Sequence, residues 1–301
     1  MDTTVQISKD TYAWTETRKL LTRDQTCTPN LISFGYMTNT RSTEPLNCHI
    51  HPNAYEFVIV VKGTQRYEAG GQSYPLVGGD VFVSLRGEPH GTGVDPQSVG
   101  ELLWFQIEMT ERGGFLGLSA PFSALLAERL SSLETRRLEA SQQQIAELKR
   151  AFFLFAEQDP SRKALGHGLF ITFLWGILCP ESAPRPQLTP DIAGCIAYIR
   201  AHLHETIEID DLLGVSGLSS ARFKDKFRQQ TGMTPREYIN FHKIEAAKKM
   251  LSSPGKSVTQ VAFALNFSSS NYFASVFRQF TGRTPKEYQR LTRMDNGLPQ
   301  K

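Results

Sequence analysis

The 301 residues include 33 Lys+Arg against 30 Asp+Glu, a formal net charge of +3, with 40% hydrophobic, 10% aromatic and 21% charged residues. At about 150 residues per domain there is room for two folded domains, and the composition excludes a disordered, collagen-like or coiled-coil chain. The charge is uneven: residues 191–301 hold 16 Lys+Arg and 10 Asp+Glu, residues 1–190 hold 17 and 20, so a polyanionic partner is sought at the carboxy-terminal end. The amino terminus, MDTTVQISKD, has neither the basic nor the apolar region of a secretory signal. The longest apolar run, residues 169–179, falls well short of the roughly 20 residues that span a bilayer. Both point to a cytoplasmic protein without a membrane partner. Cys27, Cys48, Cys179 and Cys195 share no short spacing and read as reduced thiols.

In chain order, alternating apolar and polar runs come first. Strands are expected at 55–61, 64–68, 73–77 and 81–85, separated by Gly63, Gly70-Gly71 and Gly78-Gly79, the pattern of a small barrel or jelly roll. Within this stretch stand His49-x-His51-x4-Glu56-x6-Gly63 and Gly79-x5-Leu85-x-Gly87-x2-His90. These resemble the two cupin motifs, with Leu85 in place of a proline and Val94 in place of a terminal Asn. Alternate spacing directs His49 and His51 to one face of a strand. The resemblance implies that His49, His51, Glu56 and His90 surround one site, and three His with one Glu suit a divalent transition metal. A metal-free effector pocket and a structural role are the alternatives. Tyr36, Tyr55, Arg66, Tyr67 and Trp104 are candidates for pocket contacts.

From about 121 to 179 the spacing turns helical, with Ile145, Leu148, Phe152 and Phe155 forming an apolar stripe. That stripe either packs on the barrel or makes a homodimer. Four prolines between 180 and 190 then read as a semi-extended linker.

The last 110 residues contain a repeat. Phe223-x3-Phe227-Arg-Gln-x2-Thr-Gly-x-Thr-Pro-x-Glu-Tyr238 returns as Phe273-x3-Phe277-Arg-Gln-x2-Thr-Gly-x-Thr-Pro-x-Glu-Tyr288. Thr234 and Thr284 stand at N-caps, Pro235 and Pro285 at first helical positions, and Glu237 and Glu287 complete capping boxes. Leu213 and Ala262 lie four residues before Gly217 and Asn266, residue types that accept a left-handed turn. Serines at 219–220 and 268–270 follow as N-caps. Each unit is a helix-turn-helix, whose second helix would enter a major groove.

At these residues the chain resembles the AraC/XylS family of bacterial transcription activators, and such regulators commonly carry a cupin-like barrel. Asn266 stands where the family usually has Gly, Leu213 where Ala is usual, and Lys243 where the joining helix usually has Arg. The resemblance implies a multidomain α+β protein: a cupin-like effector barrel (1–112), a helical accessory or dimerisation region (113–179), the linker (180–190), and an all-α domain (191–301) of two helix-turn-helices joined by a linker helix. It implies base readout by Ala221, Lys224, Asp225, Ser270, Asn271 and Ser275. Ser219, Arg222, Arg228, Ser269 and Arg278 then hold phosphates. The expected partners are double-stranded DNA, a small-molecule effector, RNA polymerase if the protein activates, and a second copy if it dimerises. The alternative function is a metal-dependent cupin enzyme, an oxygenase or isomerase, with an accessory helical domain.

Overall fold

The computed structural model describes residues 6–7, 12–109, 114–179, 188–253 and 255–295. The chain divides into two compact units, one of Met1–Asn39 with Pro45–Arg185, the other of Pro186–Lys301 with Thr40–Glu44.

The first unit contains strands β1 (Gln6–Ile7), β2 (Ala13–Trp14), β3 (Arg18–Thr22), β4 (Leu31–Asn39), β5 (His49–Ile50), β6 (Ala54–Ala69), β7 (Gln72–Val77), β8 (Asp80–Ser84), β9 (His90–Gly91), β10 (Gly100–Glu108) and β11 (Arg137–Glu139). Its helices are α1 (Arg23–Thr26), α2 (Ala120–Ser131), α3 (Gln142–Ala156) and α4 (Pro160–Leu178). One curled sheet runs β2-β3-β4-β10-β6-β8-β11, all antiparallel. The other runs β1-β5-β9-β6-β7, with β1 and β5 parallel.

Strand β6 belongs to both sheets. Its first half pairs with β8 and β10, its second half with β7 and β9. The turn expected at Gly63 is therefore a bend inside one long strand. Gly63 has φ +88°, and a Cβ there would sit 2.4 Å from the Val99 carbonyl oxygen, so only glycine lets the two backbones approach at the corner.

The first half of β6 is buried on both faces. Tyr55, Phe57 and Ile59 join Phe34, Leu103, Phe105, Phe152, Phe155, Phe170 and Phe173 in one core. Val58 and Val60 point the other way, to Tyr67, Phe82 and Leu102 inside the barrel. A strand covered on both sides reads as a continuous apolar run, as 57–61 does.

Helices α3 and α4 cover the sheet, and the stripe Ile145, Leu148, Phe152, Phe155 is buried in this chain's own core. It is not a dimer surface. Phe152 lies edge-on to Phe34 at 5.2 Å between ring centroids and stacks parallel to Trp14 at 6.0 Å. Barrel and helices share that core, so the division expected at 112/113 separates no independent domain. Strand β11, inside a stretch read as helical, adds to the edge at β8.

The second unit is all α: α5 (Pro190–Ala201), α6 (Ile209–Ser216), α7 (Ser220–Thr231), α8 (Pro235–Ser252), α9 (Val258–Ala264), α10 (Ser270–Thr281) and α11 (Pro285–Asp295). Most of the expected linker, 180–187, lies outside the described residues, and Pro190 already opens α5. Phe223 and Phe227 bury one face of α7, Phe273 and Phe277 the equivalent face of α10. Among the described residues, no helix is long and apolar enough to cross a membrane.

Phe152→Ala should lower the unfolding free energy of the first unit by about 3–5 kcal/mol, measured by urea denaturation. Phe152→Glu should leave that unit unfolded in limited proteolysis; a folded protein with an altered association state would contradict this packing.

Candidate functional site

In the barrel, β5 contributes His49, the turn after it His51, β6 Glu56 and β9 His90. His49 pairs directly with His90 across the ladder. Their ligand atoms lie within 4.8 Å of one another, and all four side chains are buried. The cluster inferred from the cupin resemblance is thus assembled. His90 Nε2 donates to Glu56 Oε2 at 3.0 Å, and His51 Nε2 is 3.4 Å from Glu56 Oε1. His49 Nδ1 donates to the Asn47 carbonyl at 2.9 Å and His90 Nδ1 to the Glu88 carbonyl at 2.8 Å. Both rings are thereby oriented with Nε2 toward the cluster, the arrangement that aims an imidazole at a metal.

Gln106, opposite Glu56 on β10, was not anticipated. Its Nε2 donates to Glu56 Oε1 at 3.0 Å and lies 3.2 Å from His51 Nε2. A single glutamine in an apolar strand carries no motif; only the register of β6 against β10 brings it here.

The charges are mutually adjusted. Burial acts to raise Glu56, yet hydrogen bonds from His51 and His90 outweigh it and hold the carboxyl well below its usual range. Burial acts to lower His90, but the hydrogen bond and charge of Glu56 push it up. His49 is held down, by burial first and by His90 next. The cluster opens on a cavity of ≈ 260 Å³, whose lining includes Arg18, Met37, Val58, Tyr67, Leu102 and Trp104 along with His49, Glu56 and Gln106. Of the five residues expected to furnish pocket contacts, Tyr67 and Trp104 line it. Tyr36 and Tyr55 point into the helix-covered core, and Arg66 pairs with Asp95 at 2.9 Å.

In the second unit both repeats form the expected helices and turns, but Ser219, at the N-cap position of α7, makes no side-chain capping bond. Gly217 closes α6 at φ +65°, and Asn266 occupies the matching turn at φ +51°. Ser269 caps α10 by accepting from the Tyr272 amide at 3.1 Å. Thr234 with Glu237 and Thr284 with Glu287 form both capping boxes.

Opposite its buried phenylalanines, α7 exposes Ser220, Ala221, Arg222, Lys224, Asp225 and Arg228. α10 likewise exposes Asn271, Tyr272, Ser275, Arg278 and Gln279, with Ser270 partly exposed at its start. All the expected readout residues thus lie at or beside one outward face of each second helix. Tyr272 and Gln279 share the α10 face, because a helix face is set by angle and not by motif position. Lys226 turns aside and pairs with Asp191 at 2.7 Å, the contact that draws the Asp191 carboxyl down to about 2.

Two family models match: an AraC-like ligand binding domain over residues 39–174 and a helix-turn-helix domain over residues 213–291. The chain belongs to the AraC family. It is a DNA-binding transcriptional regulator with an amino-terminal ligand-binding domain. The MmsAB operon regulatory protein of Pseudomonas aeruginosa is 34% identical over 101 residues, 33% of either chain, so the match spans about a third of that relative. The transcriptional activator RhaS of Shigella sonnei is 25% identical over 233 residues, 74% of this chain and 80% of RhaS. Among solved structures, the DNA-binding domain of AdpA in complex with a target DNA is 25% identical over 37% of this chain and 100% of its own, with a TM-score of 0.35.

The helix joining the two AraC-type helix-turn-helices, α8, carries His242 against the rings of Tyr238 and Phe241. Burial, followed by the charge of Arg200, brings its pKa down to about 4. A folded-state value below the unfolded one means that the unfolded chain takes up the proton first. The contribution is therefore complete above the unfolded value of about 6.5 and is lost as pH falls toward 4. Acidification from pH 7 to pH 4.5 should cost the second unit roughly 2 kcal/mol after allowance for solvent screening, read as a falling thermal midpoint. His242→Gln should flatten that dependence; an equally steep profile in the variant would assign it to other groups.

Proposed function

We propose that this AraC-family protein activates transcription in response to a small molecule seated in the barrel, with His49, His51, Glu56 and His90 holding a divalent transition ion at the floor of the cavity. The observation that carries the proposal is the convergence of four buried donors at a cavity that is otherwise largely apolar. Three imidazoles and a carboxylate suit Zn²⁺, Fe²⁺, Mn²⁺ or Ni²⁺. Two further features fit. The Nδ1 tethers of His49 and His90 leave their Nε2 atoms to the cluster. Ser84, opposite Glu56 on β8, has a buried hydroxyl that meets no hydrogen-bond partner among the described residues, a group that an oxygen-bearing ligand would satisfy.

When bound, the ion supplies a Lewis-acidic anchor for an effector oxygen. Binding displaces the proton that His90 holds toward Glu56, so neutral imidazoles, one carboxylate and a divalent ion leave a net positive site, and Arg18 adds a guanidinium to the cavity lining. The matching effector is a compact organic anion whose apolar body meets Met37, Val58, Leu102 and Trp104. The reading requires no catalytic step.

On DNA, Ala221, Lys224 and Asp225 of α7 and Ser270, Asn271 and Ser275 of α10 meet base edges, and Asn271 can bond adenine in bidentate fashion. Ser219, Arg222, Arg228, Ser269 and Arg278 meet phosphates. The protein acts in the cytoplasm, with RNA polymerase as its partner in activation. A second copy is accommodated on the outer face of α4. There Ala164, Leu165, Gly168 and Thr172 are exposed, and no Asp, Glu, Lys or Arg occurs from Ala164 to Leu178.

Protein purified without chelator should carry about one transition ion per chain by elemental analysis, and His51→Ala should release it. Metal-free protein whose thermal midpoint is unmoved by Zn²⁺, Mn²⁺, Fe²⁺ or Ni²⁺ would instead make the cluster a hydrogen-bonded pocket floor.

Selection from random DNA tests the readers. Asn271→Ala should relax preference within one part of the site at a cost of about 1–3 kcal/mol. Arg278→Ala should weaken all sequences alike and reduce the salt slope by about one. Identical specificity profiles for the two variants would remove Asn271 from the readout.

A further inference from the structure

The two helix-turn-helices have separate cores. The second consists of Ile244, Ala247 and Leu251 from the latter part of α8 together with residues of α9, α10 and the turn between them. Tyr238 and Ile239, in the earlier part of α8, are buried on the side of the first, where the Tyr238 ring meets Phe227. Helix α8 alone would join two modules by one rod, and long helices bend.

A second attachment exists away from the rod. Between α5 and α6, residues 204–206 reach the second helix-turn-helix at two points and the joining helix α8 at a third. His204 Nδ1 donates to the carbonyl of Ala264, the last residue of α9, at 3.0 Å. Asn266 Nδ2 donates to Thr206 Oγ1 at 3.0 Å. Lys243, only 6% exposed, donates from Nζ to the Glu205 carbonyl at 3.1 Å, and its ammonium lies 5.6 Å from the centre of the Phe267 ring.

Two of the positions that depart from the AraC-family pattern, Asn266 and Lys243, thus meet the same three-residue loop. Asn266 adopts φ +51°, where glycine would be less strained. What asparagine offers and glycine lacks is the amide that holds Thr206. Lys243 is buried and bonds one carbonyl while facing one ring, a task for a point charge on a flexible stem rather than for a planar fork.

We propose that residues 204–206, Lys243 and Asn266 form a clamp that fixes the second helix-turn-helix relative to the first, so that these residues set how strictly the protein reads the spacing between its two major-groove contacts. They are positioning residues, since none lies on the outward face of α7 or α10. Inserting one base pair rotates one contact relative to the other by about a tenth of a turn. A clamped pair of readers meets that displacement as strain; a loosened pair follows it.

The test uses the full chain and the DNA sequence that it selects from a random pool, with derivatives in which one base pair is inserted or deleted between the two contacted segments. The unaltered protein should lose about tenfold or more in affinity on either change, comparable to a mismatched base pair. Asn266→Gly keeps the turn and removes the tether. With Thr206→Val, it should reduce that loss to about threefold or less while leaving affinity for the selected site within about threefold. Lys243→Met should act in the same direction.

Variants with an unchanged far-ultraviolet spectrum whose spacing discrimination equals that of the unaltered protein would overturn the clamp. So would a uniform loss of affinity with the discrimination ratio preserved, since that marks a structural role only. Indifference of the unaltered protein to spacing would overturn both the clamp and two-site reading itself.

Discussion

The first unit depends on one strand that is covered on both faces. In the first half of β6, odd positions pack under α3 and α4 while even positions face the barrel interior, so a single run of backbone divides a dry aromatic core from a ligand cavity. Glu56 occupies an even position, between Tyr55 and Phe57, which belong to the core. A one-residue slip of register would drive its carboxylate into the aromatic side and withdraw it from three histidines. The bend at Gly63 then carries the same strand into the second sheet, where Ala69 pairs with His90. The cluster therefore exists because one strand belongs to both sheets.

Burial gives that cluster its chemistry. A carboxylate and several imidazoles cannot enter a largely apolar interior unless they satisfy one another, and the shifts of Glu56 and His90 in favour of their charged forms express that mutual satisfaction. The same convergence makes the site suitable for a cation, since oriented Nε2 atoms and a carboxylate held ionised are what a divalent ion requires. The core behind the sheet keeps the donors in place, and the cavity in front leaves room for a ligand.

The second unit uses a duplicated motif for two unlike surfaces. Both copies bury phenylalanines four residues apart and start their last helix with the same capping box, so the frame is the same. On the outward faces, α7 presents Arg222, Lys224 and Arg228 around Asp225, whereas α10 presents Asn271, Tyr272 and Ser275 with Arg278. The first face is charged, the second mostly neutral and polar.

By itself the sequence determined the repeat, the capping boxes, the left-handed turn positions and the boundary near the proline-rich stretch. These are local: a proline, a Thr-Pro-x-Glu or a φ > 0 position acts within a few residues and needs no knowledge of the fold. It also marked His49, His51, Glu56 and His90, through the resemblance of their stretches to the cupin motifs. Tertiary structure alone decided what lay between distant segments. It buried the α3 stripe in its own core, turned Gly63 from a hairpin into a bend, and brought Gln106 to Glu56. It also brought Asn266 and Lys243 to the loop at 204–206. Each of these depends on pairing register or on the approach of elements far apart in the chain, and an apolar stripe looks the same whether it meets its own sheet or another molecule.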